Sequence, residues 1–178
     1  MKKYLILGCG TLIEKRISVP PFGDHPGSPE KDFIGQITTV DHLPAVNADI
    51  CADLNDLPYD WVGDEEYDEI HAYEILEHCG TQGDADFFFG QFNEFWRILK
   101  PNGLMMLSVP MWTNSIAFGV PDHKRVMPAC LFQFLFESYY DNLGNPGFGD
   151  YRSFIKGYWR CFWGKESESR LELVLIKC

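Results

Sequence analysis

The stretch Lys3-Tyr4-Leu5-Ile6-Leu7-Gly8-Cys9-Gly10-Thr11 decides the fold. Its apolar run, Tyr4 to Leu7, stops abruptly at Gly8-Cys9-Gly10. A buried central strand followed by a glycine turn lets a ligand approach the backbone at the carboxyl edge of an open α/β sheet. Taken alone, a tight turn with no ligand explains these residues equally well. The segments downstream weigh between the two.

After Gly10, Thr11-Leu12-Ile13-Glu14 has the form of a capping box and predicts the start of a helix. That helix is short, because Pro20, Pro21, Pro26, Pro29, Gly23 and Gly27 make 18–35 a long loop insertion. Such a loop either covers a ligand site or is a solvated insertion. The β-branched run Gln36 to Val40 predicts a second strand ending on Asp41, and Asp49 to Ala52 a short third one. Asp41 at a strand tip suits the two hydroxyls of a ribose, and equally suits capping the turn His42-Leu43-Pro44. Asp53 suits an exocyclic amine such as adenine N6, or a cap.

Residues 65–73 read as a fourth strand, with Glu74-Ile75-Leu76-Glu77-His78 opening a helical stretch. Residues at such a junction sit at the carboxyl edge, so Tyr73, Glu74, Glu77 and His78 are site candidates; a histidine near a helix end is also often a cap or surface residue. The firmest helix runs from Asp84 to Lys100, with Phe88, Phe92, Phe95, Trp96 and Leu99 at helical spacing as a packing stripe. Pro101-Asn102-Gly103 is expected to end it and lead into the buried strand Leu104 to Val109. The loop region 111–125 carries Trp112, His123, Lys124 and Arg125 and is a place for substrate contacts. Pro128 to Tyr140 reads as a helix, and Phe154 to Trp163 with Leu171 to Lys177 as a closing antiparallel hairpin.

The chain has 178 residues, enough for one domain with its own core, and a formal charge of -11, which disfavours nucleic acid as a partner. Its six cysteines form no C-x-x-C pair and fit free thiols in a reducing cytoplasm. Met1-Lys2-Lys3 runs straight into the first strand, which is expected to leave no signal peptide, and no apolar run approaches membrane-spanning length. The five histidines show no paired ligand spacing along the sequence, so no metal is expected.

Together YLILGCG, the Val40-Asp41 strand end, ADLNDLPY at 52–59, YDEIHAYEILEH at 67–78 and FWRILKPNGLMMLSVP at 95–110 resemble the class I S-adenosylmethionine-dependent methyltransferase family, as a short variant. The resemblance implies a Rossmann-like α/β fold: a mostly parallel sheet with a C-terminal antiparallel hairpin, in a single three-layer domain spanning 1–178. It implies S-adenosylmethionine as cofactor. Gly8, Cys9 and Gly10 would pass its methionine part, Asp41 would hold the ribose, Asp53 and Leu54 would meet the adenine, and Tyr73 and Glu74 would line the methyl region. The implied acceptor is a small molecule or a protein, with nucleic acid and membrane set aside.

A sulfonium methyl is a strong electrophile, so the protein mainly aligns it with a nucleophile. Where the acceptor is a hydroxyl or a protonated amine, His78, His123 or Glu77 are the candidates to take its proton. Aromatic faces such as Tyr73 or Trp112 would tolerate the cationic sulfur. The family's third glycine and long first helix are missing here, which sets a second reading beside the first: a methyltransferase-like domain without catalysis, serving as a binding or structural module. A nicotinamide dehydrogenase would need a pyrophosphate at a helix amino terminus, which Pro20-Pro21 and the lack of G-x-G-x-x-G disfavour.

Overall fold

The computed structural model describes residues 1–11, 13–17 and 33–178. The expected loop lies almost wholly outside the described residues, as does Leu12 of the capping box. Residues 13–17 form no helix, so the helix expected after Gly10 does not begin there.

Seven strands form one sheet in the order β3-β2-β1-β4-β5-β7-β6. They are β1 (Lys2–Leu7), β2 (Gly35–Asp41), β3 (Ile50–Cys51), β4 (Tyr67–Tyr73), β5 (Leu99–Pro110), β6 (Trp159–Glu166) and β7 (Arg170–Lys177). The first five pair in parallel, and β7 inserts antiparallel between β5 and β6. β1 is central and its four apolar residues are almost completely buried, which is why it reads as an uninterrupted run rather than an alternation. Register then fixes the edge: Leu7 stands opposite both Val40 and Ala72. Asp41, the last residue of β2, and Gly8 and Glu74, which follow β1 and β4, therefore emerge side by side.

One face of the sheet is covered by α1 (Ala85–Ile98), whose Phe88, Phe92, Phe95 and Ile98 pack with Leu5, Leu7, Ile70, Met105 and Leu107. The Asp84 side chain caps the helix by accepting from the Phe87 N–H at 2.9 Å. The helix ends at Ile98, earlier than Pro101 suggests, because Leu99 is already extended and Lys100 precedes a proline, a position that disfavours helical backbone. β5 consequently begins at Leu99.

Alternation along β4 sends Ile70 and Ala72 into that core and Glu69, His71 and Tyr73 to the opposite face. There Tyr73 joins Ile17, Leu104, Met106, Val174 and Ile176 in a second cluster. The helix expected over 128–140 is broken into Ala129–Phe132 and two 3-10 turns, Gln133–Leu135 and Glu137–Asn142. Phe136 between them is extended and bridges Trp159, and that pairing competes with a continuous helix. The hairpin forms as expected, although its first strand starts only at Trp159; Asn93 of α1 holds the preceding turn through Phe154 O at 2.7 Å and the Lys156 N–H at 2.9 Å.

Candidate functional site

A cavity of about 360 Å³ opens at the carboxyl edge of the parallel strands, walled by Gly8, Asp41, Asp53, Leu54, Glu74 and His78 among others. This is the size and place expected of a ligand site in such a sheet. Gly8 has a positive φ of 59°, and a Cβ there would lie 2.4 Å from Ile75 Cγ1. Only glycine lets β1 end this close to the chain that leaves β4. The Gly8 and Cys9 N–H groups both donate to Val40 O, at 2.9 and 3.3 Å, locking the turn against β2.

The turn is used differently from the expectation. Gly8 alone of its three residues walls the cavity. The Cys9 side chain is buried, which pushes its thiol pKa up, and the Gly10 N–H is engaged by Asp41 Oδ2 at 3.0 Å. Asp41 Oδ1 accepts from the Leu43 N–H at 3.0 Å, so the carboxylate both caps its turn and faces the cavity. Each oxygen keeps acceptor capacity beyond these bonds. Asp53 faces the same space; its Oδ1 accepts from the Asn55 N–H at 2.9 Å, and that bond holds its carboxyl below the usual range.

Glu74 directly follows β4 with a left-handed φ of 54°, which swings the chain back toward β1. Its Oε1 is buried and finds no hydrogen-bond partner among the described residues. Tyr73, one residue earlier, does not reach the cavity: alternation turns it to the other face, where its hydroxyl lies 2.7 Å from His71 Nδ1. Trp112 is half exposed and lines a neighbouring cleft with Phe118, His123 and Lys124, so neither aromatic face expected beside a sulfonium lies in the cavity wall.

After Glu74 the chain makes a single 3-10 turn, Leu76–His78, where a longer helical stretch was expected. Arg125 staples this turn to α1, its buried Nη2 donating to Leu76 O and Gln91 Oε1, both at 2.8 Å. Glu77 O accepts from the Lys124 and Arg125 N–H groups at 2.8 and 3.1 Å, which draws the 122–125 loop alongside. Glu77, His78 and His123 thereby meet, with the two imidazole rings edge to face at 4.7 Å and Asp122 Oδ2 3.2 Å from His78 Nδ1. Burial pushes the Glu77 carboxyl up to about 8, with the Glu74 charge adding and Arg125 opposing. The cluster stands where the cavity, walled by His78, and the cleft, lined by His123, adjoin.

Asn55, Ile75, Cys79 and Asp122, none of them a candidate by sequence, also wall the cavity, as does Lys124 of the loop expected to carry substrate contacts. For Asp122 and Lys124 the sequence signal is their place in a loop after β5; for Asn55, Ile75 and Cys79 it is only adjacency to stronger candidates.

No protein-family model matches the sequence, and no curated protein matches it. Solved structures do. A SAM dependent methyltransferase from Archaeoglobus fulgidus superposes with TM-score 0.58 at 14% identity, over 99% of this chain and 86% of that one. The [4+2]-cyclase SpnF gives TM-score 0.58 at 15% identity, over 99% and 74%. The N-methyltransferase NodS from Bradyrhizobium japonicum WM9, in complex with S-adenosyl-l-homocysteine, gives 0.53 at 11%, over 99% and 78%. Identities this low carry the fold and not the reaction. With its strand order and its reversed β7, the chain has the class I S-adenosylmethionine-dependent methyltransferase fold.

Proposed function

We propose that this chain binds S-adenosylmethionine in the carboxyl-edge cavity and directs methyl transfer to a small-molecule or protein acceptor. The observation that carries the reading is the convergence of three features on one cavity: the Gly8 approach, the pre-oriented Asp41 carboxylate and Glu74, whose buried Oε1 has no partner among the described residues. A nucleoside bearing an amino acid offers what each requires. Asp41 would accept from the ribose hydroxyls, Asp53 and Leu54 would receive the adenine edge and face, and Glu74 Oε1 would accept from the ammonium. That NodS is solved with S-adenosyl-l-homocysteine supports the choice of ligand.

The bound cofactor supplies an electrophilic methyl. The protein's task is to hold an acceptor atom in line with it, and orientation alone supplies a large part of such a rate. The adjoining cleft, with its exposed Trp112 and Phe118, offers an apolar bed for the acceptor, while His78, His123 and Glu77 form the polar boundary toward the cavity. The net charge of -11 favours acceptors other than nucleic acid.

Calorimetric titration with S-adenosylmethionine and S-adenosylhomocysteine tests the reading. Saturable binding of both is expected, weakened about 10- to 100-fold in Asp41→Ala, the worth of hydrogen bonds to a charged group. Absence of binding by the folded protein would overturn it in favour of a non-catalytic module with another partner.

A further inference from the structure

We propose that Glu77, His78 and His123 form a binding site for one divalent transition-metal ion. Among the described residues these three place a donor atom each within 4.8 Å of one another. Donors on a common ion sit about 2.0–2.2 Å from it, hence roughly 3–4 Å apart, so the set needs a contraction on the order of 1 Å to close.

The second observation is what the cluster leaves unsatisfied. Both Glu77 carboxylate oxygens and His123 Nδ1 are buried without a hydrogen-bond partner among the described residues, their side chains being 2% and 6% exposed. A buried carboxylate with neither oxygen engaged is costly, and buried polar groups are almost always paired. His123 Nε2 lies 4.0 Å from Glu77 Oε1, too long for a hydrogen bond. A cation held by a Glu77 oxygen and one nitrogen of each ring would give the buried carboxyl the partner it lacks.

Outside the trio, Asp122 stands in the position of an orienting group. Its Oδ2 lies 3.2 Å from His78 Nδ1, the outer carboxylate contact that commonly fixes the ring of a metal-bound histidine. Two imidazoles with one carboxylate suit Zn²⁺, Fe²⁺, Co²⁺ or Mn²⁺ better than Ca²⁺. Three protein donors leave coordination positions open, as in reactive rather than closed structural sites. The linear sequence hides the set, because His123 joins the Glu77-His78 pair only when the Lys124 and Arg125 N–H groups dock on Glu77 O.

The test is titration of the metal-stripped full chain with Co²⁺, read by visible ligand-field absorption, with no cofactor present. One equivalent is expected to bind and to be displaced by Zn²⁺. Glu77→Gln and His123→Ala should each weaken binding at least 10-fold, with far-UV circular dichroism unchanged, and the exposed His42→Ala should leave it unaltered. A thiolate charge-transfer band, or equal affinity in wild type and both cluster variants, would overturn the proposal. If one of these variants fails to fold, His78→Ala is the substitute and the same criterion applies. Because the cobalt signal needs no cofactor and the S-adenosylhomocysteine titration needs no metal, either conclusion can fail without the other.

Discussion

Gly8 and Gly10 look equivalent in a G-x-G pattern, but they face different demands. At Gly8 an added Cβ meets Ile75 and the φ of 59° disfavours any side chain, so Gly8→Ala should cost about 1–3 kcal/mol and deform the cavity. At Gly10, with a φ of 52° and nothing within 4 Å among the described residues, Gly10→Ala should cost about 1–2 kcal/mol through its backbone alone and spare ligand binding. Urea unfolding together with S-adenosylhomocysteine titration of both variants checks this; a Gly10 variant that loses ligand while the Gly8 variant keeps it would reverse the assignment. The same scale shows what a sequence can tell about a site. Gly8, Asp41, Asp53, Glu74 and His78 were legible as cavity-wall positions because each ends a strand, follows one or lies within a turn beyond it, and register brings such positions to one edge. Tyr73 was not, since the side of a sheet that a strand's last residue faces depends on parity, and only the buried Ala72 beside it settles that parity.

Among the elements, α1 and the 3-10 turn carrying His78 depend on two polar contacts that can be removed singly. Asp84→Ala removes the cap bond to Phe87 and should cost about 1 kcal/mol with no effect on the cavity, measured as a lower urea midpoint. Arg125→Met should cost more, about 1–3 kcal/mol, because it leaves Gln91 Oε1 without its donor in the core and Leu76 O with only the Cys79 N–H, and it should weaken cobalt binding through the loosened Leu76–His78 turn. Equal cobalt affinity in Arg125→Met and wild type would show that the turn holds its shape without the staple. The strands, α1 and the final hairpin were readable because local pattern and burial agree there: a continuous run for β1, helical spacing for α1, β-branched residues for β2. They disagree over 128–140, where helical spacing of apolar residues is overruled by the backbone pairing of Phe136 with Trp159. Nor does local pattern place Arg125 in the core, since a basic pair in a loop ordinarily reads as surface.

Across the whole molecule, the two faces of the sheet differ in a way that predicts acid sensitivity. Against α1 the face is apolar, while the other face buries a polar set: Glu69, His71 and Tyr73 from β4, with Lys15 packed over them. Lys15 Nζ donates to Glu69 Oε2 at 2.8 Å, Lys2 Nζ lies 3.6 Å from Glu69 Oε1, and His71 Nε2 lies 3.2 Å from Glu69 Oε2. Tyr4 and Phe33 close around the imidazole with ring centres at 6.2 and 4.9 Å. Burial lowers the His71 pKa below its ordinary value despite Glu69, while His71 and Lys15 hold the Glu69 carboxyl below its own range against the cost of its burial. Both folded-state values are depressed, so both contributions to stability are complete above the unfolded values, 6.5 for histidine and 4.5 for glutamate, and are lost as pH falls through the folded ones. The contributions of this polar set should therefore decline from below pH 6.5, first through His71 and then through Glu69, while the Glu77 carboxyl, raised to about 8, contributes the opposite slope between 8 and 4.5. Urea unfolding of wild type and His71→Gln at a series of pH values between 7.5 and 4 isolates the His71 part: the variant should be less stable at pH 7.5, and the gap to wild type should narrow as pH falls below 6.5. An undiminished slope in the variant would place the acid sensitivity elsewhere in the chain.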